Sequence, residues 1–131
     1  MAKKKILVLE DEAVVARDIE QTLTRLGFDV VGTAQFANEA VAKAAETRPD
    51  LILMDISLQG KRDGVEAAQI IGDRNDTPVV FLTAHTDKAT VARAQGISPA
   101  GYLVKPFNRE RLRDTIHKAL GIEETDVAKP K

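Results

Sequence analysis

The chain has no cysteine and no tryptophan, a single tyrosine, and only 4% aromatic residues. Without a thiol, neither a disulfide framework nor a thiolate metal site can form. There is no long apolar run either. The first one, Ile6-Leu7-Val8-Leu9, stops at Glu10-Asp11-Glu12 and is too short for a signal core or a membrane span, although Met1-Ala2-Lys3-Lys4-Lys5 would suit a signal's basic start. A cytoplasmic location without membrane contact is the expectation. Nor is there an excess of base: 19 Lys and Arg face 20 Asp and Glu, for a net charge of −1. Nucleic-acid binding through phosphates is therefore not expected, and Lys3-Lys4-Lys5 reads as a solvated flank of the first strand. At 131 residues the expectation is one domain over residues 1–121, with no room for an output module. The polar, aperiodic residues 122–131 read as a disordered or cloning-derived tail.

Short apolar runs that end on a functional group are what the chain does have. Ile6 to Leu9 leads to Glu10 and Asp11, Leu51-Ile52-Leu53-Met54 to Asp55, Val79-Val80-Phe81-Leu82 to Thr83, and Tyr102-Leu103-Val104 to Lys105. A continuous apolar run of four or five residues fits a strand buried on both faces of a parallel sheet. Between the runs lie helical patterns. Val15, Ile19, Leu23 and Leu26 predict a helix over about 13–26, closed by Gly27. A second strand spans Phe28 to Gly32. Asn38 caps a helix facing inward with Ala40, Val41, Ala44 and Ala45, which Pro49 ends. A loop through Gly60 and Gly64 leads to a helix with Val65, Ala68 and Ile71, Asp87 caps a fourth that runs to Gly96, and Asn108 caps a last one with Leu112, Ile116, Ala119 and Leu120 inward.

Strict alternation predicts an α/β fold: a (βα)5 doubly wound, five-stranded parallel sheet with right-handed crossovers. The flavodoxin-like order 2-1-3-4-5 places its switch point between the first and third strands, outside whose carboxyl ends ligands bind. Glu10, Asp11 and Asp55 would meet there. Clustered carboxylates repel in a partly desolvated cleft unless a cation joins them, so a cation-free site is expected to store electrostatic strain. Oxygen ligands of this kind suit Mg²⁺. Glu10 and Asp11 are the metal carboxylates, Asp55 is the candidate nucleophile for a phosphoryl group, Lys105 supplies a point charge to a phosphate oxygen, and Thr83 supplies a hydroxyl donor.

With those four segments in register, Ile6-Leu-Val-Leu-Glu-Asp-Glu12, Leu51-Ile-Leu-Met-Asp55, Val79-Val-Phe-Leu-Thr-Ala84 and Gly101-Tyr-Leu-Val-Lys-Pro-Phe107, residues 4–121 resemble the receiver domain of two-component response regulators. The resemblance implies phosphoacceptor Asp55, metal binding by Glu10, Asp11, Asp55 and the main-chain carbonyl of Ser57, switch residues Thr83 and Tyr102, and phosphate-sensing Lys105 before a cis-type Pro106. It implies Mg²⁺ as cofactor, a histidine kinase or phosphotransfer protein as donor, and a downstream protein partner. Homodimerisation is possible through the fourth helix, fifth strand and last helix. Such a chain is a switch rather than an enzyme, catalysing only its own phosphorylation and dephosphorylation. Two segments depart from the family's common pattern. Gln59 stands where a proline is usual, in a loop to Gly64 that is one residue longer, and Ala94-Gln-Gly-Ile-Ser-Pro99 differs from the frequent alanine and glycine pattern.

Rival readings rest on less. A phosphatase of the haloacid dehalogenase type wants Asp-x-Asp, and Ser57 stands two beyond Asp55. A Rossmann module lacks its glycine fingerprint, and a static pseudo-receiver would not need every site residue. His85, two beyond Thr83, has no partner acid and reads as a surface histidine, and His117 as a solvated one.

Overall fold

In the computed structural model, residues 3–56, 64–75, 77–83, 92, 96 and 99–122 are described. Five parallel strands alternate with helices: β1 (Lys5–Leu9), α1 (Ala13–Arg25), β2 (Asp29–Ala34), α2 (Ala37–Thr47), β3 (Leu51–Asp55), α3 (Gly64–Asn75), β4 (Val79–Thr83), β5 (Gly101–Val104) and α4 (Arg109–Leu120). The strand order is β2-β1-β3-β4-β5, as expected of a flavodoxin-like sheet. The fourth helix expected from Asp87 lies almost wholly outside the described residues, as do Ser57, His85, the loop through Gly60 and residues 123–131.

Successive strand residues point to opposite faces, and the two faces fill separately. Ile6, Val8, Leu51, Leu53, Val80, Leu82 and Leu103 meet Ile19 and Leu23 of α1 and Leu112 and Ile116 of α4. Leu7, Leu9, Ile52, Met54 and Phe81 meet Ala37, Ala40 and Ala44 of α2 and Ala67, Ala68 and Ile71 of α3. Both sides of β1, β3 and β4 are thus apolar, and polar side chains can emerge only where a strand ends.

Helix ends follow local chemistry. Asn108 Oδ1 accepts from the Arg111 amide at 2.8 Å, and Gly27 and Gly121 take left-handed φ values of +95° and +71°. Asn38 does not cap α2. That helix starts at Ala37, because Glu39 reaches back to accept from the Gln35 amide at 3.0 Å and stabilises an earlier start. Ala45, expected inward, is exposed, and β2 runs two residues past Gly32. His117 is half-buried rather than solvated, edge-on to Phe28 with ring centroids 6.0 Å apart.

Candidate functional site

The site stands at the carboxyl ends of β1, β3, β4 and β5. Glu10 directly follows β1 and is fully buried, while Asp55 ends β3 and Thr83 ends β4, each about 6% exposed. Lys105 follows β5, and its amide donates to the Thr83 carbonyl at 2.8 Å, so the two strand ends are tied together. One carboxylate oxygen from each of Glu10, Asp11 and Asp55 lies within 4.8 Å of the others. These three are the residues the sequence placed at the switch point.

The cluster is not without a cation. Lys105 Nζ donates to Glu10 Oε1 at 2.7 Å and to Asp55 Oδ2 at 3.0 Å. The other Glu10 oxygen accepts from the Glu12 amide at 3.1 Å. This corrects the expectation that all three acids store unrelieved repulsion. A lysine stem long enough to cross from β5 to β1 neutralises two of them. Asp11 keeps the strain: burial first, then a hydrogen bond and the charge of Glu10, raise its pKa above 3.8. Burial alone would lower the Lys105 pKa, but its bonds to Glu10 and Asp55 outweigh that and raise it above 10.5.

Tyr102, paired in register with Phe81, lies half-buried with ring centroids 6.2 Å apart, and its hydroxyl is enclosed without a hydrogen-bond partner among the described residues. Burial raises its pKa above 10.0. Lys105-Pro106 is a cis peptide. Sequence reasoning missed the Lys105–Glu10 pair and the Glu12 amide, since neither a cross-sheet pairing nor a backbone donor carries a residue-type signal. It also passed over Val14, 82% exposed in the first turn of α1, three residues beyond Asp11.

The donor set suits a hard divalent cation. Three carboxylates offer oxygen only, within the spread one ion spans, and a cation that retains waters needs no more than one or two of them plus a phosphate oxygen. An acidic, lysine-bridged crevice thus lies at the switch point of a 2-1-3-4-5 sheet. The sequence model of the response regulator receiver domain matches residues 6–117, so the chain belongs to that family, the receivers of two-component systems.

Among its relatives, the transcriptional regulatory protein PdtaR of Mycobacterium tuberculosis is 37% identical over 117 residues, which cover 89% of this chain and 57% of the relative. The phyllosphere-induced regulator PhyR of Methylorubrum extorquens is 34% identical over 122 residues, 92% of this chain and 45% of that protein. The chain thus spans about half the length of these curated relatives. Among solved structures, the signal receiver domain of a modulated diguanylate cyclase from Desulfovibrio desulfuricans superposes with a TM-score of 0.87 at 36% identity, covering 92% of this chain and 95% of that one. The chemotaxis protein CheY4 of Vibrio cholerae gives 0.82 at 30% identity, covering 91% and 100%. No described helix is long and apolar enough to cross a membrane.

Proposed function

We propose that this chain is a phosphorylation-driven switch in which residues 1–121 form the working unit, Asp55 accepts the phosphoryl group, and Glu10, Asp11, Asp55 and the Ser57 carbonyl hold Mg²⁺. The observation that carries the reading is the convergence of three carboxylates and one lysine from three different strand ends onto one crevice. The donor is a phosphohistidine on a kinase or phosphotransfer protein in the cytoplasm. A carboxylate oxygen of Asp55 attacks phosphorus, the P–N bond breaks, the imidazole keeps the bonding pair and takes up a proton, and an acyl phosphate remains on Asp55. Bound Mg²⁺ supplies neutralisation of the charge on the transferring oxygens.

This chain's own groups do the positioning. Lys105, already 3.0 Å from Asp55, offers its ammonium to a phosphoryl oxygen. Thr83, one residue beyond the Leu82 that pairs with Asp55, offers its hydroxyl to another. A dianion on Asp55 draws these two groups together and shifts the strand ends, and Tyr102 on the neighbouring strand transmits the change to the surface around β5. A downstream protein, or a second copy, reads that surface.

Incubation with acetyl phosphate and Mg²⁺, followed by intact mass, tests the reading. One hydroxylamine-labile phosphoryl group is expected on the wild type and none on Asp55→Asn. Phosphorylation of Asp55→Asn at the wild-type rate removes Asp55 from the role. A wild type that takes no phosphoryl group leaves a static interaction module.

A further inference from the structure

β2 is an edge strand, and its sequence makes that edge a liability. Val30-Val31-Gly32-Thr33-Ala34 carries no charge and no proline and is rich in β-branched residues, a pattern that invites another strand to pair with it. The pairing with β1 is interrupted by a register shift that passes over Val31, which twists part of the edge away. The run from Gly32 onward is regular again and needs another device.

Backbone direction shows where the open groups are. Ala34 turns its carbonyl to β1, accepting from the Glu10 amide at 2.9 Å. Its neighbours Thr33 and Gln35 therefore face the opposite way, toward the free edge. A residue of an added parallel strand would donate to the Thr33 carbonyl and accept from the Gln35 amide, since a parallel ladder uses the carbonyl of one residue and the amide two further on. Both groups are taken. Lys43 Nζ donates to the Thr33 carbonyl, and Glu39 Oε1 accepts from the Gln35 amide at 3.0 Å.

Glu39 and Lys43 are one helical turn apart on α2, a spacing at which an exposed glutamate and lysine ordinarily serve each other. Here each reaches back to the strand instead. The lysine stem lies over Gly32, where a Cβ would stand in ordinary contact, 3.5 Å from Lys43 Cδ. We propose that Glu39 and Lys43 act together as a surrogate for one residue of a sixth strand and close the β2 edge against strand addition by a second copy of this chain. Self-association is then confined to other surfaces, and a change that neutralises or displaces Lys43 opens this one. Glu39 alone would be an ordinary helix-start contact. The donor from Lys43 to the complementary carbonyl is what makes the pair match an incoming strand.

The test is the solution mass of the unphosphorylated, metal-free chain by light scattering from dilute to concentrated samples, with amide NMR on the same samples. Glu39→Ala combined with Lys43→Met keeps good helix formers at both surface positions and removes both contacts. Its mass should rise with concentration beyond that of the wild type, with shifts or broadening centred on residues 30–35, and Lys43→Met alone should show a weaker form of the same rise. Lys43→Arg, which keeps a donor, should behave as the wild type. The proposal is overturned if the double variant tracks the wild-type mass throughout, or if extra mass appears while residues 30–35 stay unperturbed. Neither readout depends on phosphorylation, so the outcome is independent of the role of Asp55.

Discussion

Lys105 and Glu10, 95 positions apart in the chain, are joined by a 2.7 Å contact in which the lysine side chain is one-quarter exposed and the glutamate not at all. A carboxylate that deep is tolerable because both its oxygens are engaged, one by the ammonium and one by the Glu12 amide. Removing the lysine leaves a buried charge with half its partners, which costs more than the pair contributes in net terms.

Lys105→Met should therefore destabilise the metal-free fold by about 1–3 kcal/mol, the buried-pair range reduced for the exposed lysine head. Glu10→Gln combined with Lys105→Met should recover part of the loss, because the fully buried Glu10 charge is then gone while Asp55 still lacks its ammonium partner. Urea denaturation in EDTA checks both. A double variant no more stable than Lys105→Met would show that the lysine stabilises by its stem packing instead.

Asp11 behaves in the opposite sense. Its pKa is raised in the fold by burial and by Glu10, so the folded chain holds that proton more tightly than the unfolded chain does. This contribution is fully present below pH 3.8 and is lost as pH rises through the raised folded value, so at neutral pH the ionised Asp11 opposes folding. Asp11→Asn should accordingly raise stability in EDTA at pH 7 by up to about 1 kcal/mol, a modest figure because the group is partly exposed. Saturating Mg²⁺ should stabilise the wild type far more than the variant. Equal stabilisation of both by Mg²⁺ would take Asp11 out of the cation site. No such gain is expected of Asp55→Asn, which gives up its 3.0 Å bond to Lys105.

What the sequence revealed and what it hid divide along one physical line. Strand ends at Glu10, Asp55 and Thr83 were legible because a strand buried on both faces has no polar residue until it stops, whereas Lys105 follows β5, an edge strand that is only partly buried and ends on an exposed Val104. The order 2-1-3-4-5 was legible because alternating strands and helices leave few arrangements. Contacts made by long side chains were not. Lys105 could have lain along its own strand, and Glu39 and Lys43 could have paired with each other. The choice between backbone, neighbour and water depends on geometry that periodicity does not encode. The early start of α2 was hidden for the same reason, since it rests on Glu39 reaching backward rather than on Asn38.

Val14 is 82% exposed three residues after Asp11, and folding gains almost nothing from an apolar side chain in that position. On the proposed transfer from a protein phosphohistidine to Asp55, Val14 offers an apolar contact to the donor. Val14→Gln should slow transfer from a phosphohistidine protein that serves the wild type by about tenfold, equivalent to about 1.4 kcal/mol of lost apolar contact. Phosphorylation by acetyl phosphate should be unchanged, because a small donor makes no such contact. Parallel loss with both donors would instead mean that Val14 supports the site from within.

Tyr102 holds its hydroxyl enclosed without a hydrogen-bond partner among the described residues, its ring against Phe81. An unpaired buried donor costs about 1–3 kcal/mol, so the observed placement of Tyr102 is disfavoured by its own hydroxyl. Tyr102→Phe keeps the ring contact and removes that penalty, and should stabilise the fold by about 1 kcal/mol at pH 8. The alkaline limb gives a second, sign-specific check. Burial raises the phenol pKa above 10.0, so the neutral phenol's contribution is fully present below pH 10.0 and is lost as pH rises through the folded value. Lys105, raised above 10.5, acts in the same direction in both proteins and cancels between them. The advantage of the Phe variant should therefore widen between pH 8 and pH values above 10. A gap that narrows as pH rises would mean that the hydroxyl is paired in solution, and that the inward ring is a stable resting state rather than a conformation the switch can leave.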